Sequence, residues 1–465
     1  MATQVSETAV ELEQYRQRRA ASPTPAQTPK TPNHPTGLPS SANTSYFDPA
    51  DPDNVVLASL LADSQVPDGG YGWVVVFACS VLCFWFVGTT YSWGVIQAAL
   101  VEQNLSSPAT LSFVGSLTCA CNSLFALLNA RIIRWAGARN TALAGIVLFG
   151  GGQILSGFTA HSVPGLFITM GVIMGMGVSN LFMVVSVTPA QYFNKKRGIA
   201  NGIVYAGGGL GGTAISFAMD ALIQKLGIPW TFRVLGIAML VTGLPAAWLI
   251  KERAPIKTTT FIEWNLFRSF KFTVLFLTGV VATFPLFVPP FFLPLYSTSL
   301  GLSPSAGAGL VAGFNFSSAV GRLACGFASD RFGPLNTLLM SLLLSSLSML
   351  VLWPVSTTLG PLIAFVIING TGNGGFFSTI PTVVGRVFGS ARVSVAMGMM
   401  VTGWAGGYLM GAPIAGYLLA AYGGEHSTLK AYHPAIFYAG SMAFGATILA
   451  ATVRLSVNRN ILLRL

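Results

Sequence analysis

The sequence predicts an all-α membrane protein of twelve transmembrane helices, arranged as two pseudo-symmetric six-helix halves. Three observations lead there. Hydrophobic residues make up 52% of the 465 and charged residues only 8%, against roughly 25% charged in ordinary globular domains, so most of the surface must face lipid. Twelve apolar runs each reach the length of about 20 residues that crossing a bilayer requires. Landmarks of the first half also recur in the second at a nearly constant offset, the mark of a duplicated bundle.

The elements follow in chain order. Residues 1–66 are polar and rich in Pro, Ser and Thr ("ASPTPAQTPKTPNHPTGLPSS"). They contain no apolar core of the kind a signal peptide needs. They bury too little apolar surface to offset the entropy of ordering, so they read as a disordered cytoplasmic tail. The spans are expected at 71–99, 109–130, 139–159, 164–188, 198–221, 230–250, 272–296, 305–328, 335–355, 361–385, 394–421 and 433–454. The halves therefore occupy 67–250 and 272–454, joined by a short cytoplasmic loop at 251–271 and followed by a tail at 455–465. Glycine and proline inside several spans are tolerated better in lipid than in water.

Lys and Arg set the orientation, because cytoplasmic loops hold the excess. On this threading 21 of the 25 basic residues fall in the loops after even-numbered spans or in the two termini. The opposite loops hold only Lys225 and Lys430, and Arg233 and Arg322 fall within spans. Both termini are thus expected in the cytoplasm. The net charge of +11 is this orientation signal rather than a nucleic-acid footprint, which would gather on one exposed face. The clusters also suit anionic lipid headgroups.

The repeat has a period near 195. Gly137 ends "ARIIRWAG" and Gly333 ends "GFASDRFG", 196 positions apart. Phe193, Arg197 and Gly202 of "YFNKKRGIANG" return as Phe388, Arg392 and Gly398, at separations of 195, 195 and 196. Between these landmarks Gly207, Gly209 and Gly212 spell the pattern of a dinucleotide-binding loop, which needs a preceding strand and a following helix. Here they lie inside the fifth span. Gly208 and Gly212 instead have the four-residue spacing that lets helix backbones approach closely, a sliding face between the halves.

Two stretches carry a resemblance. "PDGGYGW", with Asp68, Gly69, Gly70 and Trp73, and "YFNKKRGIANGIVYAGGGLGG", Tyr192 to Gly212, resemble the monocarboxylate transporter family of the major facilitator superfamily over residues 67–454. "GFASDRFG" is shared with the whole superfamily. "TYSWGVIQ" and the long tail are similar to the fungal branch. The resemblance implies the major facilitator fold and secondary transport of a small organic solute by alternating access, in the plasma membrane, with symport of protons left open. It implies a cytoplasmic latch at Asp330 and Arg331, in which the carboxylate pairs with a basic residue or caps the start of the eleventh span, with Arg197 on the matching loop. The first-half counterpart of Asp330 is Arg134. Asp68 is expected to accept hydrogen bonds at the entry to the first helix, in the manner of an N-cap. Two departures bear on the solute: residues 71–99 lack the family's lysine, and Ser318 stands four positions before Arg322 where the family has aspartate.

The residues themselves single out Arg322. A charge at membrane depth costs at least about 2.5–3.5 kcal/mol, so it faces the bundle interior and has a function or a partner. Its guanidinium can grip a carboxylate through two parallel hydrogen bonds; the bland alternative is a structural pair with Asp330. Asn315 and Ser318 share its helix face at i−7 and i−4. The intramembrane amides Asn180, Asn315, Asn369 and Asn373 need partners, either the solute or a neighbouring helix. Tyr91, Trp93 and Gln97 either line a cavity or belong to an interfacial belt. Asp220 and Arg233 flank the turn after the fifth span, as a salt bridge or with Asp220 as a proton carrier.

Three classes of function compete. A transporter takes either a carboxylate-bearing metabolite, on the strength of Arg322, or a larger neutral or aromatic vitamin or secondary metabolite, imported or exported. A non-transporting nutrient receptor can use the same fold. An enzyme is excluded: the four histidines, His34, His161, His426 and His433, form no metal pair or nucleophile–base constellation. No cofactor or metal is expected, and the five cysteines read as buried, inert thiols. The partners are a small-molecule solute and the lipid bilayer, with protons and oligomeric state open and no nucleic acid.

Overall fold

The computed structural model describes residues 68–193, 196–253, 263–388, 393–424 and 428–457. The expected N-terminal tail, the middle of the central loop and the last eight residues lie outside them. Among the described residues every regular element is a helix. We number the spans α1 (Gly72–Glu102), α2 (Pro108–Leu124 continued by Ala126–Ile133), α3 (138–159) and α4 (Val163–Val187). Then come α5 (197–226) and α6 (228–249), α7 (Phe270–Ser299), α8 (Pro304–Phe332), α9 (Pro334–Leu352) and α10 (Leu359–Phe388). The last two are α11 (Val393–Gly403 with Ala405–Ala421) and α12 (His433–Val457). All twelve expected spans are present, with ends moved by at most five residues.

Taken as continuous helices among the described residues, only eight runs, covering nine of these spans, are long and apolar enough to count by themselves. The difference has physical causes. Arg197–Leu249 runs for 53 residues, about 80 Å of helix, far more than a hydrocarbon core of about 30 Å. It is a hairpin that turns at Gly227, whose φ is 76°. Lys196 N at its start donates to Asp68 Oδ1 (3.4 Å), and the Leu249 carbonyl at its end accepts from Tyr71 Oη (2.9 Å), so both ends return to one corner. α2 bends by 46° near Phe125, α11 breaks at Trp404, and α8 carries Arg322, Asp330 and Arg331.

The duplication is visible in the backbone. Gly137 (φ 81°) turns α2 into α3, and Gly333 (φ 95°) turns α8 into α9, 196 positions on. These angles are open to glycine and strained for other residues. On the opposite side α2, α4 and α8 start alike: Ser107, Ser162 and Ser303 each accept a backbone N–H of the first turn, with proline just inside the helix, the arrangement that satisfies orphan donors most economically. By alternation the loops rich in Lys and Arg gather at one end, here called the basic side; the other is the far side.

The halves meet along α1–α7, α2–α11 and α5–α8, and the seam is closed at both ends. On the basic side Gly202 of α5 lies against the backbone of α8 at Arg322 and Gly326. On the far side Gln224 Nε2 donates to Ser305 Oγ (2.8 Å), Gly94 packs on the backbone of Pro290 and Phe291, and Gly416 on Ala109. This is an occluded conformation. Around it an outer ring of exposed apolar side chains, among them Phe77, Phe158, Val241 and Phe327, presents the surface that lipid covers.

Candidate functional site

The first helix of each half is broken at mid-depth, at positions 195 apart. α1 breaks at Ser92, which Oγ contacts to the Gly212 carbonyl (3.1 Å) and to Ser216 Oγ (2.9 Å) hold against α5. α7 is interrupted over Phe284–Phe287, where prolines remove the ladder donors. The Leu286 carbonyl would bond to the amide of residue 290, but Pro290 has none. Asn373 Nδ2 of α10 takes that place (3.0 Å), and Asn373 Oδ1 accepts from Tyr91 Oη (3.0 Å), beside the α1 break. The rings of Tyr91 and Phe287 meet at 4.9 Å. The two breaks are thus tied to each other through α10, across the seam.

Beneath that tie lies a central cavity of about 40 Å³, lined by Phe86, Val87, Thr90 and Tyr91 of α1, Cys119 and Asn122 of α2, Val178 and Phe182 of α4, Tyr205, Phe287, Arg322, Phe377 and Tyr408. One water needs roughly 10–15 Å³ by this measure, so the closed site holds a few waters, and a larger solute requires the halves to part. Seven of the thirteen lining residues are Phe or Tyr. Arg322 is the single charge.

Arg322 is 1% exposed. Its Nη1 donates to the Tyr205 carbonyl (2.6 Å), Nε finds no acceptor, and the guanidinium carbon sits 5.7 Å from the Tyr91 ring and 5.9 Å from that of Phe377. Among the described residues no carboxylate lies within ion-pair distance of it. Gly208 makes the room: a Cβ there would lie 2.9 Å from Nη1 and 2.7 Å from Val87. Taking an unpaired cation out of water costs several kcal/mol, and two aromatic faces return only about 1–2 kcal/mol each. The site is electrostatically incomplete.

The other expected residues are placed as follows. Asn315 and Ser318 sit where α8 crosses its neighbours, Asn315 against Gly212 and Ser318 against Gly374; Asn315 Nδ2 and Ser318 Oγ have no partner. Asn369 bridges α10 to α9, donating to the Ser345 carbonyl (3.3 Å) and Ser348 Oγ (2.8 Å). Asn180 packs on Gly145 of α3, turned from the cavity. Gln97 is fully buried in the far-side half of α1 with its amide unpartnered. Trp93 Nε1 donates to the Leu111 carbonyl (3.2 Å), inside the bundle rather than in an interfacial belt. Asn122 was not anticipated, although it obeys the same intramembrane-amide rule. The aromatic lining carries no sequence signal that separates it from lipid-facing Phe and Tyr.

Two carboxylates meet the start of α5. Asp68 has φ 50° and lies outside the α1 start, whose cap at Tyr71 uses no side chain. Its Oδ1 accepts from Lys196 N. Asp330 Oδ2 accepts from Ile199 N (3.2 Å), against Gly198, so this carboxylate meets the start of α5. Gly198 and Gly202 let α8 approach the start of α5. Arg197 Nε donates to the Phe193 carbonyl (3.2 Å), and Arg331 is exposed beside Phe332. The glycines of the signature form the same corner: Gly69 lies by the Trp73 indole, Gly70 has φ 62°, and Trp73 meets Phe193 edge-on at 4.8 Å. Tyr192 Oη donates to the Lys251 carbonyl (2.8 Å), and burial pushes this phenol up from its ordinary range. No salt bridge joins Asp220 to Arg233. Asp220 accepts from Gln224 (2.9 Å), while Arg233 stacks on Phe158 and donates to the Gly157 carbonyl.

Comparison with known proteins agrees with this architecture. The chain matches the family described as the Major Facilitator Superfamily over residues 74–314 and 275–460. It is 27% identical over 393 residues to MFS-type transporter 1 of Ophiocordyceps sp., covering 82% of this chain and 86% of that one. It is 28% identical to the aspyridones efflux protein apdF of Emericella nidulans, covering 83% and 79%. The crystal structure of the nucleoside transporter NupG superposes with a TM-score of 0.63 at 13% identity, over 81% of this chain and 99% of that one, a likeness of fold. Twelve spans in two halves around a closed central cavity, matched by the family along nearly all of the described residues, make this chain a member of the major facilitator superfamily, a membrane transporter and not an enzyme.

Proposed function

We propose that the protein is a secondary transporter of an anionic, aromatic-bearing small molecule, with Arg322 as its counter-charge. The observation that carries this is the buried guanidinium with no carboxylate beside it, in a cavity otherwise walled by aromatic rings. An anion entering there supplies the missing charge, and a conjugated or aromatic body stacks on Tyr91, Phe377 and Tyr408. Asn122 and Tyr91 add polar contacts. Asn373 supports Tyr91, while Asn315 and Ser318 shape the α8 crossing behind Arg322. Asn180, Asn369 and Gln97 serve as helix contacts in this reading.

With no carboxylate near Arg322, a coupled proton travels on the solute's own acid group. The basic side is cytoplasmic by the distribution of Lys and Arg, and Asp330 with Gly208 and Gly212 governs closure of that side. The aspyridones efflux protein is by name an exporter, which supports outward movement of a metabolite across the plasma membrane. The signature corner supports placement in the monocarboxylate-transporter-like branch.

The test is binding and flux of a panel of aromatic carboxylates and their uncharged amides, with wild type and Arg322→Gln. At 100 times its dissociation constant a true ligand stabilises the protein by about 2.7 kcal/mol. The reading expects this from carboxylates alone and its loss in Arg322→Gln. Equal stabilisation by amides, retained in the variant, overturns it in favour of a neutral solute. Binding without flux in sealed vesicles identifies a receptor.

A further inference from the structure

We propose that the far-side vestibule between α1, α5, α7 and α8 is a second ligand site, shaped for an amphipathic organic cation. Its volume is about 620 Å³, within the range of about 300–1,000 Å³ typical of small-molecule pockets. Most of its wall is apolar, including Val95, Ala98, Ile223 and Leu295, and its only charges are the carboxylates of Glu102 and Asp220. Among the described residues neither meets a cation. Asp220 is oriented by Gln224, whose amide also bridges to Ser305 of α8; Lys225, five positions on, is exposed and outside the lining, and Arg233 of α6 is engaged by Phe158, Trp230 and the Gly157 carbonyl.

The chemistry of the wall selects the ligand class. Two uncompensated carboxylates repel an anion. A small hydrated ion gains too little, because no third acidic, His or Cys ligand gathers with them among the described residues. A cation spread over an apolar body satisfies both the charge and the wall. The site is also placed to act on the carrier. Val95–Glu102 and Pro294–Thr298 belong to the far-side portions of α1 and α7, beyond their breaks, so an occupant braces both against α5 and α8 and holds the far side shut.

The probe is tetraphenylphosphonium, titrated against the full-length protein in nanodiscs of uncharged lipid, with tetraphenylborate, of the same shape and opposite charge, in a separate titration. We expect saturable binding of the cation only, weakened at least tenfold in Glu102→Gln/Asp220→Asn, abolished in Ala98→Trp, which fills the cavity without touching its charge, and unchanged in Arg322→Gln. Melting temperatures confirm that each variant is folded. If the charge-neutral variant fails to fold, Ala98→Trp decides. Absent or unsaturable binding, equal binding of the two ions, or survival in Ala98→Trp overturns the proposal. Loss in Arg322→Gln also overturns it, by placing the cation in the central cavity.

Discussion

Gly94→Ala should pry open the far side of the carrier. Gly94 stands two residues past the α1 break, where α1 crosses α7 with no side chain between them. A methyl group there would overlap the Pro290 carbonyl and lie 3.0 Å from Phe291 Cα. Carbon atoms rest at about 3.5–4.0 Å, so the helices must separate by roughly 0.5–1 Å or distort. Overpacking of this kind costs about 1–3 kcal/mol, and the closed seam bears that cost while an open one escapes it. The open population should therefore rise about 5- to 150-fold. Cys119 lines the central cavity and reports the change. In a variant whose other four cysteines are replaced, its reaction rate with a membrane-impermeant thiol reagent added from the far side should rise by that factor. Gly151→Ala, whose added methyl meets nothing within 4 Å, is the control and should leave the rate unchanged. A folded Gly94→Ala protein with a lowered melting temperature but an unaltered Cys119 rate would refute the gating role of the α1–α7 contact.

Asn373→Ala removes the bridge between Tyr91 and the Leu286 carbonyl, leaving two buried polar groups unpaired at about 1–3 kcal/mol each; denaturation should show the loss, and the Cys119 rate should rise. Asn369→Ala should cost a similar amount through Ser345 and Ser348 yet leave solute affinity in surviving protein unchanged, whereas a drop in affinity would return Asn369 to the binding site. Asp330→Ala removes a charge from the α5 start worth about 0.3–2 kcal/mol and should speed amide exchange at Ile199, with Asp330→Asn, which keeps an acceptor, intermediate.

The fold was legible because lipid imposes one-dimensional rules. Span length, loop charge and the 195-residue repeat are all visible without knowing which helix touches which. Arg322 stood out for the same reason, since a cation inside an apolar run is conspicuous wherever its neighbours are. The amides were not separable in this way. Asn369 and Asn373 share one face of α10 four residues apart, yet one ties α10 to α9 and the other ties Tyr91 to the broken α7. Their partners, Ser345 and Ser348 on one side and Leu286 on the other, come from different helices whose placement is a matter of packing.

The caps show the same division. That Asp68 and Asp330 would receive backbone N–H groups followed from their positions near helix ends, but which helix they cap depended on where α5 begins relative to α8. What the sequence by itself determined is the helical class, the succession of spans and the presence of a cation, Arg322, inside one of them, because each follows from the transfer of a segment between water and lipid. Only the tertiary structure decided which residues share the cavity, that α1 and α7 break opposite one another, and that a larger acidic vestibule lies outside them. Those depend on close approach between helices far apart in the chain, such as Gly94 on Pro290 and Gly212 on Asn315, and local composition carries no record of which surfaces will meet.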